Sequence, residues 1–459
     1  MFMADEKYPL LCSLWEGKRL SELRLFLAEE NPIDTAEMLD ALCKEDAKSL
    51  PAIYRLLPKN IAAEVFVEFD TDTAEMLISA LSDKELAETL SEMFYDDTAD
   101  LIEEMPANVV KRILKNTSKA DRQEINKLLK FDDGSAGSIM TTEFVHLSRE
   151  MTVKDALDHI RKVALDKETV YTCYVTDDEK RLLGYITALT LLTSPTDRYV
   201  GDLMNSNVIS VFTSDNREDV AKMLTKYDFL ALPVVDSEIR LVGIVTIDDA
   251  IDVLKEEVEE DFSVMAAITP SETTYLKTPV FKLFLSRIPW LVLLMLSATF
   301  TGMIISSFES ALAAKVALTI FIPMLMGTGG NCGSQSSTTV IRALSLGEIK
   351  LSDALRVILK EFRVSLLCGG CLAIFEFVKI ITLDRALFGN GIDVFVALAV
   401  SLTLVGTVLF AKIIGAALPL GASKLGLDPA VMASPFITTL VDTVTLFVYF
   451  SVSSLVLGI

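Results

Sequence analysis

Long apolar stretches in the C-terminal part constrain this chain more than any other feature. Backbone polar groups inside a bilayer must find partners within a helix or a closed barrel, and about 20 apolar residues of helix cross roughly 30 Å of hydrocarbon. Trp290 stands at the start of the first stretch, as expected of an aromatic ring at the membrane interface. The sequence predicts five spans, near residues 288–308, 312–344, 355–383, 393–422 and 430–457.

The charge is divided between the same two parts of the chain. Of 42 basic and 64 acidic residues, 11 and 9 lie from Arg287 onward, so the preceding part holds 31 and 55, a net charge of −24. Such a surface repels nucleic acid and anionic lipid and attracts cations. We therefore expect divalent cations and the bilayer as partners and no nucleic acid, although solubility alone accounts for most single acidic residues.

The loop charges predict the orientation. The link between the second and third spans carries five basic residues, among them Arg342, Lys350 and Arg363. The positive-inside rule places this link and the large N-terminal part in the cytosol. Five spans then leave the C-terminus outside, in the plasma (inner) membrane of a prokaryote. The N-terminus shows no cleavable signal pattern, and six scattered cysteines with two histidines suggest neither disulfides nor a zinc site.

Short apolar-periodic segments recur about every 12 residues between positions 14 and 130. Asp, Ser, Asn or Pro begins each of them, and these residues cap or initiate helices. We expect residues 1–131 to form an all-α superhelical repeat domain, for which a scaffold role is the simplest function.

Two similar units follow, each with an amphipathic helix, a β-branched strand, an acidic turn and a second strand ending in Gly-x-x-Thr. Gly184 and Gly243 mark the same position in the two units. Residues 140–255 resemble a tandem CBS pair, and we expect this α/β domain to span 132–255. In that family a Thr-x-x-Asp sequence can hold a nucleotide ribose. The second unit has it, as Thr246 and Asp249, so the resemblance implies one adenosine site, at which ATP would act as a regulator.

Residues 250–285 are predicted to form a connecting (plug) helix between the soluble part and a membrane domain at 286–459. Its first part is acidic, Pro270 breaks it, and a basic amphipathic stretch leads to the bilayer. Like charges at helical spacings of three and four destabilise a helix unless a counter-ion binds.

Asp442 is the only acidic or basic residue of the last span. A carboxylate there costs about 3 kcal/mol on insertion scales, which favours a function. It could pair with Lys412 of the fourth span, or it could line a wet cation path. Magnesium suits such a path because it dehydrates reluctantly and is held through its waters by few carboxylates.

The second span contains Pro323 and a glycine-rich segment, GTGGNCG, at 327–333. These residues predict a loosened helix whose freed carbonyls face an ion in a cavity. Alternatively, the glycines allow the spans to pack closely.

GTGGNxGxQ in the second span, SPFxxTLxDT in the fifth and LDPA at 427–430 occur in this order after the helical repeat and the CBS pair. The entire chain resembles the MgtE family of magnesium channels. The resemblance implies a homodimer with one pore, in which Asp442 binds hydrated magnesium. It places Asn331, Gly330, Ser334 and Thr438 along the ion pathway. Ser334 and Ser434 stand where the family usually has Asn, and Lys412 stands where it has a neutral residue.

The same resemblance implies regulatory magnesium sites that hold the cytosolic domains together and the pore shut when magnesium is abundant. The matching carboxylates are Asp96, Asp100, Glu218, Asp228, Asp249, Asp252, Glu257, Glu260 and Asp261.

The sequence therefore predicts a magnesium-selective channel that imports Mg²⁺ and is closed by internal Mg²⁺. A sodium- or proton-coupled exchanger is the alternative, for which Glu376 and Lys379 are candidate sites, and a membrane-tethered sensor without transport is a third. An enzyme is not expected, because the chain has no P-loop, nucleophile elbow, HExxH or pump phosphorylation motif.

Overall fold

A computed structural model describes residues 2–270, 275–276, 278–388, 393–432 and 434–458. The chain forms two compact units, Met1–Lys255 and Glu256–Ile459, and each is described by itself.

The first unit begins with short helices, as the repeat spacing predicted. Side chains of Asn31, Ser82 and Ser118 accept hydrogen bonds from backbone N–H groups in the first turns of three of them, which explains where these helices start. Buried leucines and an aromatic cluster fill the space between the helices. The helices are α1 (Phe2–Glu16), α2 (Leu20–Glu29), α3 (Pro32–Asp46), α4 (Leu50–Tyr54), α5 (Lys59–Val67), α6 (Thr71–Ala80), α7 (Asp83–Leu90), α8 (Tyr95–Glu104), α9 (Ala107–Asn116) and α10 (Lys119–Leu128).

Two three-stranded sheets follow, with orders β1-β2-β3 and β4-β5-β6. In each, the first pair is parallel and the second antiparallel. The elements are β1 (Phe144–Ser148), α11 (Val153–Val163), β2 (Thr169–Thr176), β3 (Leu182–Thr187), α12 (Ala188–Thr193), α13 (Val200–Leu203), β4 (Val211–Phe212), α14 (Arg217–Tyr227), β5 (Ala231–Val235), β6 (Leu241–Thr246) and α15 (Ile247–Met265).

The two CBS repeats exchange the segments that precede them. Thr141, ahead of the first repeat, pairs with Ile244 of β6, and Asn205, ahead of the second, pairs with Tyr185 of β3. Glycine is required at both crossings. A Cβ on Gly184 would lie 2.5 Å from the Asn205 carbonyl oxygen, and one on Gly243 would lie 2.8 Å from that of Thr141.

The acidic connecting helix, α15, ends at Met265, before the predicted break at Pro270. Ala267 has a positive φ of 55°, and the Ile268 N–H donates to the Ser263 carbonyl, 2.9 Å away. This left-handed turn ends the helix, because an L-residue in that conformation cannot continue it.

The second unit is helical and holds five apolar helical spans of membrane-crossing length among the described residues: Val280–Ser307, Val316–Ser345, Leu351–Leu387, Val394–Lys424 and Pro429–Leu457. The multidomain helical class with five candidate membrane helices is thus confirmed. Pro279 precedes the first span, which starts ahead of the predicted residue 288. The α-helices are α16 (Val280–Ser307), α17 (Glu309–Ala314), α18 (Ile322–Ser345), α19 (Ala354–Lys379), α20 (Arg385–Phe388), α21 (Val394–Lys424) and α22 (Ser434–Leu457).

The expectation of a loosened second span is wrong. Helix α18 is continuous through all its glycines, and Pro323 lies in its first turn, where no intrahelical N–H bond is lost. The glycines serve close packing instead: a Cβ on Gly329 would lie 2.8 Å from Thr407 Cγ2, and one on Gly415 of α21 would lie 2.3 Å from the Gly333 carbonyl oxygen.

Candidate functional site

Asp442 lies in the middle of α22, which packs against α18, α21 and α16. Its Oδ1 atom is enclosed and has no hydrogen-bond partner among the described residues. A buried carboxylate oxygen without a partner costs free energy that a bound cation or water would recover.

Helix α18 touches α22 one turn before Asp442. A Cβ on Gly330 would lie 2.8 Å from Thr438 Cγ2, so glycine is what lets the two helices meet there. The structure thus brings Gly330 and Thr438 together, with Thr438 four residues from Asp442 on the same face of α22.

A polar cavity of about 800 Å³ opens beside Thr438. Hydroxyl, amide and charged groups dominate its wall, although the wall is built from helices of membrane-crossing length, so water can enter it. Of the predicted pathway residues, Asn331, Ser334 and Thr438 contribute to this wall; the side chain of Ser434 lies outside the described part of the chain. The complete lining is Asn331, Ser334, Gln335, Ser336, Thr338, Thr339, Glu361, Val364, Lys412 and Thr438.

Lys412 does not pair with Asp442, so one of the two interpretations of Asp442 that the sequence allowed is wrong. Its ammonium group lies 3.8 Å from Glu361 Oε2 and donates to Ser336 Oγ at 3.3 Å. Glu361 itself was missed from the sequence, because one acidic residue in the basic stretch LKEFR carries no distinguishing pattern.

A second acidic site lies in the first unit, around the N-terminus of α8. The Tyr95 N–H donates to Glu143 Oε2 at 2.8 Å, which places a carboxylate where α8 has no side-chain cap of its own. Asp96 and Asp97 follow in the first turn, where the helix dipole favours negative charge. These residues and their acidic neighbours form what we call the acidic cluster: Asp96, Asp97, Asp100, Glu143, Glu168, Asp248 and Asp249.

Burial and mutual repulsion raise the pKa values of five carboxyls in this cluster, those of Asp96, Asp97, Glu143, Glu168 and Asp249. Burial is the larger cause throughout, and the neighbouring carboxylates add to it. The pKa of Asp97 rises to about 8 and that of Glu168 to about 8, while Glu143 and Asp249 rise to about 7. The pKa of Asp96 also rises, and its enclosed Oδ1 has no hydrogen-bond partner in the described structure.

Such a set of oxygen donors fits a hard divalent cation, which would replace protons on the cluster. The carboxylates do not, however, lie close enough together to coordinate an ion. Across the described residues, no three His, Cys, Asp or Glu side chains converge closely enough to hold a metal ion. Binding would therefore draw the side chains inward.

Sequence reasoning found three members of the cluster, Asp96, Asp100 and Asp249. Asp97 and Asp248 are their direct neighbours in DDTAD and DDAID and could have been included on that ground. Glu143 and Glu168 stand beside strands with no local pattern, and only the fold brings them in.

The other predicted regulatory carboxylates lie elsewhere. Glu218 pairs with Lys222 at 2.5 Å, and Asp252 pairs with Lys255 at 2.6 Å. Asp228 has a positive φ of 52° at the C-terminus of α14. The remaining three stand on α15 in the second unit: Glu257, Glu260 and Asp261.

The Thr-x-x-Asp sequence of the second CBS repeat is held in place by an internal bond. Thr246 and Asp249 are joined by a hydrogen bond of 2.5 Å between Oγ1 and Oδ2. In the first repeat the equivalent bond joins Thr187 and Thr190 at 2.8 Å. Of the two repeats, the second thus has a carboxylate at this position and the first has a hydroxyl.

The exchanger candidates form their own ion pairs. Lys379 Nζ lies 2.9 Å from Glu376 Oε1 and 3.3 Å from Asp384 Oδ2. Both carboxylates are buried, at the end of the third span where the helix widens into a π-turn.

Three family profiles match parts of the chain. One described as a divalent cation transporter matches residues 322–452, an MgtE intracellular N domain matches 30–134, and CBS domains match 136–195 and 200–256.

Two relatives match over nearly the whole length. The magnesium transporter MgtE of Thermus thermophilus is 37% identical over 439 residues, 95% of each chain. That of Bacillus subtilis is 32% identical over 456 residues, 98% of this chain and 97% of its own. Among solved structures, the soluble part of a magnesium transporter matches with 32% identity and a TM-score of 0.51, covering 55% of this chain and 99% of that one.

These full-length matches agree with the domain order and with the five apolar helices of membrane-crossing length, and they are to transporters rather than to enzymes. The chain is therefore a membrane protein that belongs to the MgtE family of magnesium transporters.

Proposed function

We propose that this chain is a homodimeric magnesium channel, which imports Mg²⁺ through the plasma membrane and closes when Mg²⁺ binds its acidic cytosolic half. The observation that carries the proposal is the unpartnered Asp442 Oδ1, enclosed in a helix of membrane-crossing length one turn from a polar cavity.

The chemistry of the cavity suits a hydrated ion. Hydroxyl and amide groups of Asn331, Ser334 and Thr438 can accept or donate hydrogen bonds to the waters that Mg²⁺ retains. Asp442 supplies the negative charge, and Gly330 keeps α18 close enough to α22 to bring these groups together. Serine at 334 is shorter than the asparagine usual in the family, which leaves more room for water.

The acidic cluster supports closure by internal magnesium. Without a cation, its buried carboxylates are either protonated or mutually repelled, and a bound Mg²⁺ would hold α8, the first CBS repeat and the start of α15 together. Asp96, Asp100 and Asp249 would be ligands of this site. By resemblance to the family, Glu218, Asp228, Asp252, Glu257, Glu260 and Asp261 would hold further ions.

The orientation and the nucleotide site belong to the same proposal. By the positive-inside rule, the basic second link supports a cytosolic position for the soluble unit and, with five spans, a C-terminus outside. The bonded Thr246–Asp249 pair supports an adenine nucleotide site in the second CBS repeat, where ATP would act as a regulator.

A coupled exchanger is less well supported. Its candidate groups, Glu376 and Lys379, are ion-paired at 2.9 Å, so a coupling sodium ion or proton would have to break this pair before binding there.

The test is patch-clamp current from the purified chain in liposomes, comparing wild type with Asp442→Asn while internal Mg²⁺ is stepped from low to high. We expect wild-type current that follows the electrochemical gradient and falls as internal Mg²⁺ rises. We expect a loss of about 100-fold in the variant, because removing one partner of a buried charge interaction costs roughly 2–5 kcal/mol.

Thr443→Ser is the matched control, because Thr443 neighbours Asp442 but its hydroxyl bonds within the helix, to the Thr439 carbonyl at 3.1 Å. Current that persists in Asp442→Asn would overturn the pore assignment. Flux that needs a sodium or proton gradient would establish the exchanger instead.

A further inference from the structure

The cavity wall contains a pair of charged side chains that the proposed pathway does not use. Glu361 of α19 and Lys412 of α21 both line it. Lys412 is only 6% exposed, and the Glu361 side chain is 13% exposed. Charged groups this deep in a membrane-crossing bundle are costly unless they are paired, and they mark ion pathways.

Ser336 of α18 connects the two. Its hydroxyl donates to Glu361 Oε2 at 2.5 Å and accepts a hydrogen bond from Lys412 Nζ at 3.3 Å. The ammonium nitrogen and the carboxylate oxygen are 3.8 Å apart, which is longer than the roughly 2.8 Å of a direct charged hydrogen bond. The direct contact between the two charged groups is therefore weak, and the Ser336 hydroxyl is hydrogen-bonded to both of them.

A loose pair beside a wet cavity can open. The carboxylate is a hard oxygen ligand of the kind Mg²⁺ prefers, and a lysine ammonium is a cation on a flexible stem. An ion that enters the cavity meets Glu361 already neutralised by a cation that belongs to the protein.

We propose that Glu361 is a second carboxylate of the ion pathway and that Lys412 is its tethered counter-cation, which competes with the passing divalent ion for it. The inference rests on the proposed function and extends it from one carboxylate to two. Lys412 keeps the second site weak, so that an ion can leave it, since conduction requires binding that is favourable enough to enter and weak enough to release.

The competition predicts opposite effects for the two halves of the pair. Lys412→Gln frees the carboxylate, so the Mg²⁺ concentration that gives half-maximal flux should fall about 10-fold, equal to about 1.4 kcal/mol, and the maximal flux should fall with it. Glu361→Gln leaves an unpaired ammonium in the cavity, so flux at low Mg²⁺ should fall at least about 10-fold. The double variant restores neutrality and should return half-saturation to within about 3-fold of wild type.

The experiment measures Mg²⁺ flux into liposomes against Mg²⁺ concentration for the wild type, both single variants and the double variant. Asp393→Asn is the control, because it breaks another ion pair of the membrane unit, with Lys315 at 2.7 Å, and Asp393 does not line the cavity; it should leave half-saturation unchanged. Thermal unfolding in detergent shows which variants are folded. A pair that only fastens helices would lower stability in all three variants without moving half-saturation, and this result would overturn the proposal.

Equilibrium binding of Mn²⁺, followed by its electron paramagnetic resonance signal on the full chain, gives a second readout that does not need conduction. Lys412→Gln should bind Mn²⁺ more tightly than wild type at one site per protomer, and the double variant should not. Sites in the cytosolic half are common to all variants and cancel in the difference. If the wild type shows no Mg²⁺ flux, the proposed channel function is rejected, but the counter-cation proposal is not. If the wild type, Lys412→Gln and the double variant bind Mn²⁺ equally, the proposal that Lys412 is a counter-cation is rejected.

Discussion

At the N-terminus of α8, aspartates and glutamates are buried among groups of their own charge. Asp97 shows the consequence most clearly, since its pKa rises from 3.8 to about 8. Between these two values the folded protein holds a proton that the unfolded chain has lost. Stability must therefore fall as the pH rises through this range, because the unfolded state binds fewer protons.

Asp97→Asn should remove part of this dependence. We expect it to stabilise the first unit at pH 8 without Mg²⁺ by about 1–3 kcal/mol, and to change little at about pH 3, where the carboxyl is mostly protonated in both states. Unfolding can be followed by the fluorescence of Trp15, which bonds to Ser49 within this unit, in a Trp290→Phe background that silences the other tryptophan.

Added Mg²⁺ should stabilise the wild type at pH 8 by mass action and should stabilise Asp97→Asn less. Asp178→Asn, an exposed change in the acidic turn of the first CBS repeat, is the control. If the stability of the wild type is the same at pH 5 and pH 8, the cluster is not charged in the way described.

The threonines of the two CBS repeats offer a paired test of the nucleotide site. Thr246→Val removes the hydroxyl bonded to Asp249, whereas Thr187→Val makes the same change in the repeat that lacks the aspartate. Titration calorimetry with ATP should show a loss of about 10-fold in affinity for Thr246→Val, the value of a hydrogen bond to a charged group. Equal losses in both variants would place the nucleotide elsewhere.

Among the helices, the glycine positions determine how closely α18, α21 and α22 can pack. Gly415→Ala would insert a methyl group 2.3 Å from the Gly333 carbonyl oxygen, so the two helices must separate. We expect a loss of about 1–3 kcal/mol, the usual cost of overpacking, measured as thermal unfolding in detergent, together with reduced magnesium flux.

Gly421→Ala is the control on the same helix, because a Cβ there has no atom within 4 Å. It should be neutral or stabilising by up to about 1 kcal/mol, since alanine favours a helix more than glycine does. Equal destabilisation by both changes would show that the contact with the Gly333 carbonyl is not what requires glycine at position 415.

Helices and strands could be predicted better than the contacts between them, because their signals lie within one stretch of sequence. Apolar length and periodicity are local, so the five spans and the CBS repeats could be predicted, as could the first-turn caps at Asn31 and Ser82. Glycine in a membrane helix has two opposite uses, and the sequence alone favoured the wrong one for α18. The partner of Lys412 depends on which helix lies beside α21, and no pattern within one span reveals that.

For the molecule as a whole, the proposed function assigns regulation to the acidic first unit and conduction to the apolar second unit. If internal Mg²⁺ closes the channel by binding the acidic cluster, Asp97→Asn combined with Glu168→Gln should raise the internal concentration that halves the current by at least about 10-fold, because the number of charged ligands sets the affinity of such a site. Open-channel current at low Mg²⁺ should stay unchanged, because neither residue is in the membrane unit.

The measurement is patch-clamp current against internal Mg²⁺. Glu238→Gln is the control, since Glu238 is an exposed acidic residue that pairs with Arg240 in a turn of the second repeat. An unchanged closing concentration in the double variant would show that the cluster is structural and that other carboxylates sense the ion.

The exchange of segments between the CBS repeats also affects how the chain reaches its native state. The contact between Thr141 and Ile244 closes about 100 residues of chain, and such long closures fold slowly. During synthesis the ribosome releases the first repeat before the strand that receives Thr141 exists. The backbone at Thr141 therefore stays unpaired until β6 has been synthesised. A chaperone or a neighbouring nascent chain could bind this segment for longer than it could bind segments that pair early.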